Sequence, residues 1–452
     1  MTTSDIIIIG AGPGGYETAV EAAANGLSTT IIEAAMPGGT CLNEGCIPTK
    51  TLCKSAEVAD TLADAANLGF EVSYSANWNR VMERKSEVVG KLVSGVEFLL
   101  RNKLITYVKG TARFVDAHTV AVGDETYSAP NIVIATGSVT KYLPIEGLHL
   151  PGVITSREIL NIDHIPEKMV IIGGGVIGLE FASIFRSFGT EITVVEYAKE
   201  ILPNFDTDIS KRLKAALKAR GIEIINSAAV TGVSECAEGL EVHYQLKGAD
   251  KSVSAPLVLL AVGRAANVGS LNLAEVGIEF SPRGITTNEF METNVAGVYA
   301  IGDVNGRCML AHAAVAQGKV ALHHIMGDDA KSAGIRLDIM PAAVFTHPEA
   351  ATVGLSEDQC KAQGIEYAAK KSMYGGNGKA LSMNEPTGIC KLIIDASSRR
   401  ILGCHILGAH AADIVQEATA LINCNATIDT MLDTIHPHPT LSEVLMEAAK
   451  AF

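Results

Sequence analysis

Apolar and polar positions repeat one pattern twice along the chain. Asp5–Ile9 is a short apolar strand, and Gly10-Ala11-Gly12-Pro13-Gly14-Gly15 makes a turn after it. An Ala-rich helix is predicted to about Asn25, then a second strand, Ser28–Ile32, ending in Glu33. The second copy has the strand Lys168–Ile172 and the turn Gly173-Gly174-Gly175-Val176-Ile177-Gly178. A helix follows to about Phe188, and then a strand, Glu191–Val195, ending in Glu196. Three more apolar strands run into glycine turns: Asn131-Ile132-Val133-Ile134-Ala135-Thr136-Gly137-Ser138, Leu257–Val262 before Gly263-Arg264, and Gly297–Asp303. The first two read as strands that close the two repeated units.

Beyond about Ile339 the pattern changes. Strands such as Lys391–Ile394 and Ile401–Leu407 alternate with helical stretches at Ala411–Asn423 and Leu441–Ala449, which reads as a separate α+β domain. The expected fold class is therefore α/β, with two Rossmann-like dinucleotide-binding domains and a C-terminal α+β domain. The expected boundaries are 1–145, 146–265, a central segment 266–338 completing the first domain, and 339–452.

The spacing of the repeat has a chemical reason. In each copy the acid follows the first glycine by 23 residues, from Gly10 to Glu33 and from Gly173 to Glu196. The first glycine permits a tight turn, the second lets the backbone approach a pyrophosphate, and the third lets helix pack on strand. The helix N-terminus favours the phosphates, and the acid accepts hydrogen bonds from a ribose. One such glycine turn is often only a turn; two copies in the same context predict two dinucleotide sites. Glu196 repels a 2′-phosphate, and Tyr197-Ala198-Lys199-Glu200 offers no arginine to hold one, so NAD is favoured over NADP.

Composition narrows the class. The chain has 452 residues, 48% hydrophobic and 19% charged, as in a compact soluble protein of two to four domains. A net charge of −14 disfavours nucleic acid or an anionic membrane as partner. No apolar run reaches a membrane span of roughly 18 residues. The first strand starts almost at the N-terminus, so no targeting peptide is expected, and the chain reads as cytoplasmic or as a processed organellar protein.

Cysteine usage supplies candidate chemistry. Nine scattered cysteines are not a secreted disulfide framework, and no spacing reads as a metal site. Seven are read as small buried apolar residues. Cys41 and Cys46, in Gly38-Gly39-Thr40-Cys41-Leu42-Asn43-Glu44-Gly45-Cys46-Ile47-Pro48-Thr49-Lys50, differ, because they follow directly on the first nucleotide-binding unit. That position suggests a redox disulfide. In a regular helix their Cα atoms would stand roughly 8.6 Å apart. A disulfide needs about 6.8 Å or less, so the backbone there must be distorted or lie where a helix begins. Near the C-terminus, His436-Pro437-His438-Pro439-Thr440-Leu441-Ser442-Glu443 reads either as a proton-transfer site or as a Pro-rich turn capped by Thr440 or Ser442.

These motifs, in this order and over essentially the whole chain, resemble the flavin-dependent pyridine nucleotide-disulfide oxidoreductases (class I) of the dihydrolipoamide dehydrogenase type. The resemblance continues through Ala300-Ile301-Gly302-Asp303 and Met309-Leu310-Ala311-His312. It implies FAD on Gly10, Gly12, Gly15 and Glu33, with Gly110 passing the adenine and Thr136 and Gly137 among the binding residues. It places Lys50 near the flavin and paired with Glu180, Asp303 on the ribityl chain and the Ala311 backbone at the ring. NAD would lie on Gly173, Gly175, Gly178 and Glu196, with Gly263 in its wall. The C-terminal domain would form a homodimer in which each site takes its histidine from the other subunit.

The implied chemistry is oxidation of dihydrolipoamide. His438, oriented by Glu443, would deprotonate a substrate thiol, which attacks Cys41 and releases Cys46 as a thiolate; electrons then pass to FAD and on to NAD. The implied partners are lipoyl domains of acyltransferase subunits or a lipoyl carrier protein, in 2-oxo acid dehydrogenase complexes or the glycine cleavage system. The rival is an NADH-dependent reductase of another disulfide, such as glutathione. Two positions depart from the usual pattern. Glu44 is an acid between the cysteines, expected to raise a nearby thiol pKa, and Pro437 stands where alanine is more typical.

Overall fold

A computed structural model describes residues 1–452, which divide into two compact units. The first comprises Met1–Thr51, Arg80–Lys141 and Gly263–Leu337. At its centre is a parallel sheet in the order Val298–Ala300, Asn131–Ile134, Ile6–Ile9, Thr29–Glu33, Ile105–Lys109. All four side chains of Ile6–Ile9 are buried, as a central parallel strand covered on both faces requires. They alternate between two cores. Ile6 and Ile8 pack with Ala19, Ala22 and Leu322, whereas Ile7 and Ile9 pack with Phe114, Val120 and Ile132.

The second unit comprises Leu52–Asn79, Tyr142–Val262 and Asp338–Phe452. Its parallel sheet has the order Val153–Thr155, Leu257–Leu260, Lys168–Ile172, Glu191–Val195, Ile222–Ile225. The duplication therefore extends to strand order. In both sheets the strand before the glycine turn is central, with the acid-bearing strand on one side and the closing strand on the other. The edge strand beside the closing strand differs: it comes from far downstream in the first sheet and from upstream in the second.

The C-terminal part of this unit is a five-stranded antiparallel sheet ordered Ala342–Val344, Ala350–Gly354, Ile401–Leu407, Ile389–Asp395, Tyr367–Met373. The helices Ala411–Asn423 and Glu443–Ala449 share its apolar core, through Val415, Ala418, Val444 and Leu445 with Leu392 and Ile406. Lys391 on the strand Ile389–Asp395 is 1% exposed, and its Nζ donates to both oxygens of Asp206 at 2.9 Å. It also pairs with Glu357. Asp206 in turn caps the helix Thr207–Ala219 by accepting the N–H of Asp208. One buried cation thus joins the antiparallel sheet to the nucleotide-binding part of its unit.

Several sequence expectations are corrected. The last helix begins at Glu443 rather than Leu441, and Ser442 makes no side-chain cap. The apolar run Leu257–Val262 is a strand only to Leu260. Arg264–Ala266 then pairs antiparallel with Ser138–Thr140, inside the first unit. Two antiparallel meanders, one around Ala112–Ser128 and one around Ala228–Ala255, had no counterpart in the apolar pattern, because their strands alternate with polar residues. Of the seven further cysteines only Cys360, Cys390 and Cys404 are buried. Cys53, Cys236 and Cys308 are half-buried, and Cys424 is exposed because it ends the helix Ala411–Asn423 on the surface.

Candidate active site

The two glycine turns have the same build. A Cβ on Gly10 would come within 2.3 Å of the Ala135 carbonyl oxygen, and one on Gly173 within 2.4 Å of that of Ala261. A Cβ on Gly15 or Gly178 would lie 1.9 or 2.1 Å from the carbonyl oxygen of the first glycine of its own turn. The middle glycines differ: Gly175 meets nothing within 4 Å, and Gly12 meets only the Gly39 Cα at 3.9 Å. First and third glycines are thus demanded by the fold, and the second leaves open backbone at a helix N-terminus. Neither Gly12 nor Gly175 caps its helix through a side chain, so the first N–H groups of Pro13–Ala24 and Val176–Ser187 stay available to an anion.

The acids brace these turns. Glu33 accepts the N–H groups of Ala11 at 2.7 Å and Ala35 at 2.8 Å. Glu196 accepts those of Gly174 and Ala198, both at 2.5 Å. Each carboxylate oxygen keeps a further lone pair for a ribose hydroxyl. The residues present therefore fit two dinucleotides. Gly110 ends the strand Ile105–Lys109 and donates to the Glu33 carbonyl at 2.9 Å. Thr136 donates through Oγ1 to the Asn267 carbonyl at 2.9 Å, and Gly137 and Gly263 have open space where a Cβ would stand. Ala311 opens the helix Ala311–Ile325, which has no side-chain cap at Leu310.

Cys41 and Cys46 lie on different helices. Gly39–Glu44 carries Cys41, Gly45 breaks the helical path with φ −150° and ψ −107°, and Cys46 opens the helix Cys46–Ala63. A Cβ on Gly45 would lie 3.0 Å from the Thr40 carbonyl oxygen, so the break is also a close backbone approach. The side chains are unbonded, and the two thiols are hydrogen-bonded. That bond, then burial, then the nearby Cys46 charge push the Cys41 thiol well above its ordinary range, and the Lys50 ammonium opposes them. Lys50 follows Cys46 by one helical turn, which puts it on the same face. Tyr16, on the first glycine helix, is pushed up to about 12 chiefly by burial, with Glu17 and Cys41 adding to it.

Sequence reasoning missed a polar group beside this pair. Arg264 donates through Nε to Ser138 Oγ and through Nη2 to the Ser138 carbonyl, both at 2.6 Å. Ser138 Oγ donates to Asp303 at 2.5 Å. Burial lowers the Arg264 pKa, and the charges of Asp303, Glu44 and Cys46 oppose that shift. Glu44 thus faces this cation. The signal was the pairing of Ser138–Thr140 with Arg264–Ala266, which joins segments 126 residues apart in sequence and is invisible to any local pattern.

In the second unit, Glu180 is buried on the helix Val176–Ser187 and accepts the Phe345 N–H at 3.0 Å. His438 and Glu443 are brought together, with Nδ1 2.9 Å from Oε1. The other carboxylate oxygen accepts the Thr440 N–H at 2.9 Å. That N–H first, then His438, holds the Glu443 carboxyl below its ordinary range. An ionised Glu443 only accepts, so Nδ1 donates and the neutral ring presents Nε2 as a base. The ring is 77% exposed, which leaves this edge reachable. Thr440 Oγ1 is spent on the Pro437 carbonyl at 2.8 Å.

Paired thiols beside a glycine-turn dinucleotide fold, and a histidine–carboxylate dyad in the C-terminal sheet domain, define a class that the comparisons identify. The chain belongs to the pyridine nucleotide-disulphide oxidoreductase family, whose model matches residues 4–318, with the family's dimerisation domain matching residues 340–449. It is 40% identical to the dihydrolipoyl dehydrogenases of Staphylococcus aureus and of Bacillus subtilis (strain 168), in each case over 99% of this chain and 96% of the relative. It is 38% identical to that of Geobacillus stearothermophilus over the same shares. Among solved structures it resembles the HOCl-induced flavoprotein disulfide reductase of Escherichia coli in its Cu(II) complex. That match has a TM-score of 0.89 and 29% identity, over all of both chains. No helix is long and apolar enough to cross a membrane.

Proposed function

We propose that the chain is a dihydrolipoyl dehydrogenase that oxidises protein-bound dihydrolipoamide with reduction of NAD. The observation that carries this reading is the Cys41–Cys46 pair, set across a helix break with Lys50 one turn away. Full-length similarity to dihydrolipoyl dehydrogenases supports the choice of substrate. FAD would be held by Gly10, Gly12, Gly15, Glu33, Gly110, Thr136, Gly137, Asp303 and Ala311, with Lys50 near its ring. NAD would be held by Gly173, Gly175, Gly178, Glu196 and Gly263.

In the oxidised enzyme Cys41 and Cys46 form a disulfide. His438 Nε2 takes the proton of one substrate thiol, since a free thiol with pKa about 8.5 is a weak nucleophile at neutral pH. Glu443 holds the ring and offsets the charge it gains. The substrate thiolate attacks Cys41 Sγ, the disulfide breaks and Cys46 leaves as a thiolate. The second substrate thiol attacks the mixed disulfide at the substrate sulfur; lipoamide closes, and Cys41 leaves as a thiolate that takes up the second substrate proton. FAD held beside Cys46 would supply the two-electron chemistry that links the Cys41–Cys46 dithiol to NAD. Lys50 places positive charge where the Cys46 thiolate develops. The subunits pair through the dimerisation domain, and each site takes His438 from its partner. The enzyme works in the cytoplasm on lipoyl domains of acyltransferase subunits or on a lipoyl carrier protein.

Substrate choice tests the reading. NAD with dihydrolipoamide is expected to turn over at least a hundredfold faster than NADH with glutathione disulfide, on the scale of general-base discrimination. The opposite ranking would move the assignment to a reductase of another disulfide.

A further inference from the structure

His436 lies two residues before the proposed base and differs from it in every physical respect. The ring of His438 is 77% exposed and the neighbouring Ile435 is 95% exposed, whereas the side chain of His436 is 3% exposed. Its Nδ1 is 3.0 Å from the Thr434 carbonyl oxygen, and its Nε2 is 2.9 Å from Glu417 Oε1. A carbonyl and a carboxylate only accept. A neutral imidazole has one donor nitrogen and one acceptor nitrogen, so only a ring carrying both hydrogens satisfies both contacts. The geometry thus describes a buried imidazolium clamped to Glu417 on the helix Ala411–Asn423.

That charge reaches the catalytic dyad. His436 is among the cations that act on the Glu443 carboxylate, behind the Thr440 N–H and His438. The charged groups around it are Glu417 from the helix Ala411–Asn423, Glu443 from the helix Glu443–Ala449, and His438 in its own segment. The charge of Glu417 also acts on Cys404, on the strand Ile401–Leu407. Glu417, His436, Glu443 and His438 therefore form a series in which acid and imidazole alternate.

We propose that His436 is a positioning residue for thiol deprotonation, clamped by Glu417 so that it fixes the path of the segment bearing His438 and keeps a positive charge beside the dyad. This rests on the reading of His438 as the base.

The test uses the FAD-loaded enzyme carrying His436→Gln, Glu417→Gln or His438→Gln. Dihydrolipoamide oxidation is followed across the neutral pH range, beside NADH–ferricyanide turnover, which needs no thiol chemistry. His436→Gln and Glu417→Gln are expected to lower kcat/KM for dihydrolipoamide roughly tenfold. His436→Gln should move the acid limb of the profile upward, because a cation beside the dyad is lost, and Glu417→Gln, which removes the balancing anion, should move it the other way. Ferricyanide turnover should not change. A lowered stability with the acid limb in place would make His436 a structural clamp only and overturn the proposal. Glu417→Gln serves the same purpose if His436→Gln does not fold. Wild-type rates in His438→Gln would remove the base itself. An inactive His438→Gln beside unshifted profiles for the other two would overturn only the role of His436.

Discussion

Cys46 begins a new helix instead of continuing the one that carries Cys41, and Gly45 is the break between them. Without that break the five-residue spacing would hold the sulfurs on diverging faces, since a regular helix separates such Cα atoms by roughly 8.6 Å. Gly45→Val adds a branched side chain where a Cβ already lies 3.0 Å from the Thr40 carbonyl oxygen. The expected result is at least a tenfold loss of dihydrolipoamide oxidation with FAD content and ferricyanide turnover retained, on the scale that a misplaced reacting group costs. Wild-type activity in this variant would show that the thiols meet without the break.

Glu443 gives a pH prediction with a definite sign. Its carboxyl is held below its ordinary value of 4.5, first by the Thr440 N–H and then by His438. Its carboxylate form therefore persists above that value and is lost only as the pH falls below it. An acid limb seen above about pH 5 thus belongs to another group. Glu443→Gln keeps the shape but cannot offset an imidazolium. Dihydrolipoamide oxidation should fall about a hundredfold, with ferricyanide turnover intact.

Cofactor choice rests on Glu196. Its carboxylate accepts the Gly174 and Ala198 N–H groups and keeps a further lone pair on each oxygen for a ribose hydroxyl. Glu196→Ser should raise the KM for NAD about tenfold or more, the loss expected for a charged hydrogen bond, and narrow the preference over NADP. Steady-state kinetics with both nucleotides checks this.

Lys391 is the stability prediction. Its removal leaves Asp206, 2% exposed, as an uncompensated buried acid. Lys391→Ala should destabilise the protein by about 3–5 kcal/mol in denaturant unfolding. Burial raises the Asp206 carboxyl, but the Lys391 hydrogen bond and the His405 and Lys391 charges outweigh it, so its folded pKa is depressed. Its contribution is present above the ordinary carboxyl value of 3.8 and lost as pH falls through the depressed one. The Lys391 pKa is raised above 10.5: burial lowers it, but Asp206 and Glu357 outweigh that. Its contribution is full below 10.5 and lost only at higher, alkaline pH. Between those limits stability should not respond to this pair.

The local half of the architecture was readable from sequence. Lys168–Ile172 and Glu191–Val195 coincide with the predicted strands, and Thr29–Glu33 differs by one residue. Uninterrupted apolar runs beside glycine turns have few alternatives in a parallel sheet. What the sequence could not supply was pairing at long range. Arg264 meets Ser138, Lys391 meets Asp206 and His436 meets Glu417 through topology, and no local pattern says which residue pairs with which. The amphipathic meanders were missed for a related reason. Half-exposed strands such as Gly239–Leu246 carry polar residues at every second position and declare themselves only through their partners.

The central claim is that electrons leave a dihydrolipoyl substrate through Cys41 and Cys46. It is tested most directly by the anaerobic rate of NADH formation from dihydrolipoamide and NAD, in FAD-loaded wild-type protein and in Cys46→Ser. The account predicts rapid NADH formation by the wild type and its loss in Cys46→Ser, with NADH–ferricyanide turnover retained in both. NADH formation at the wild-type rate in Cys46→Ser, or none from the flavin-loaded wild type, would contradict it.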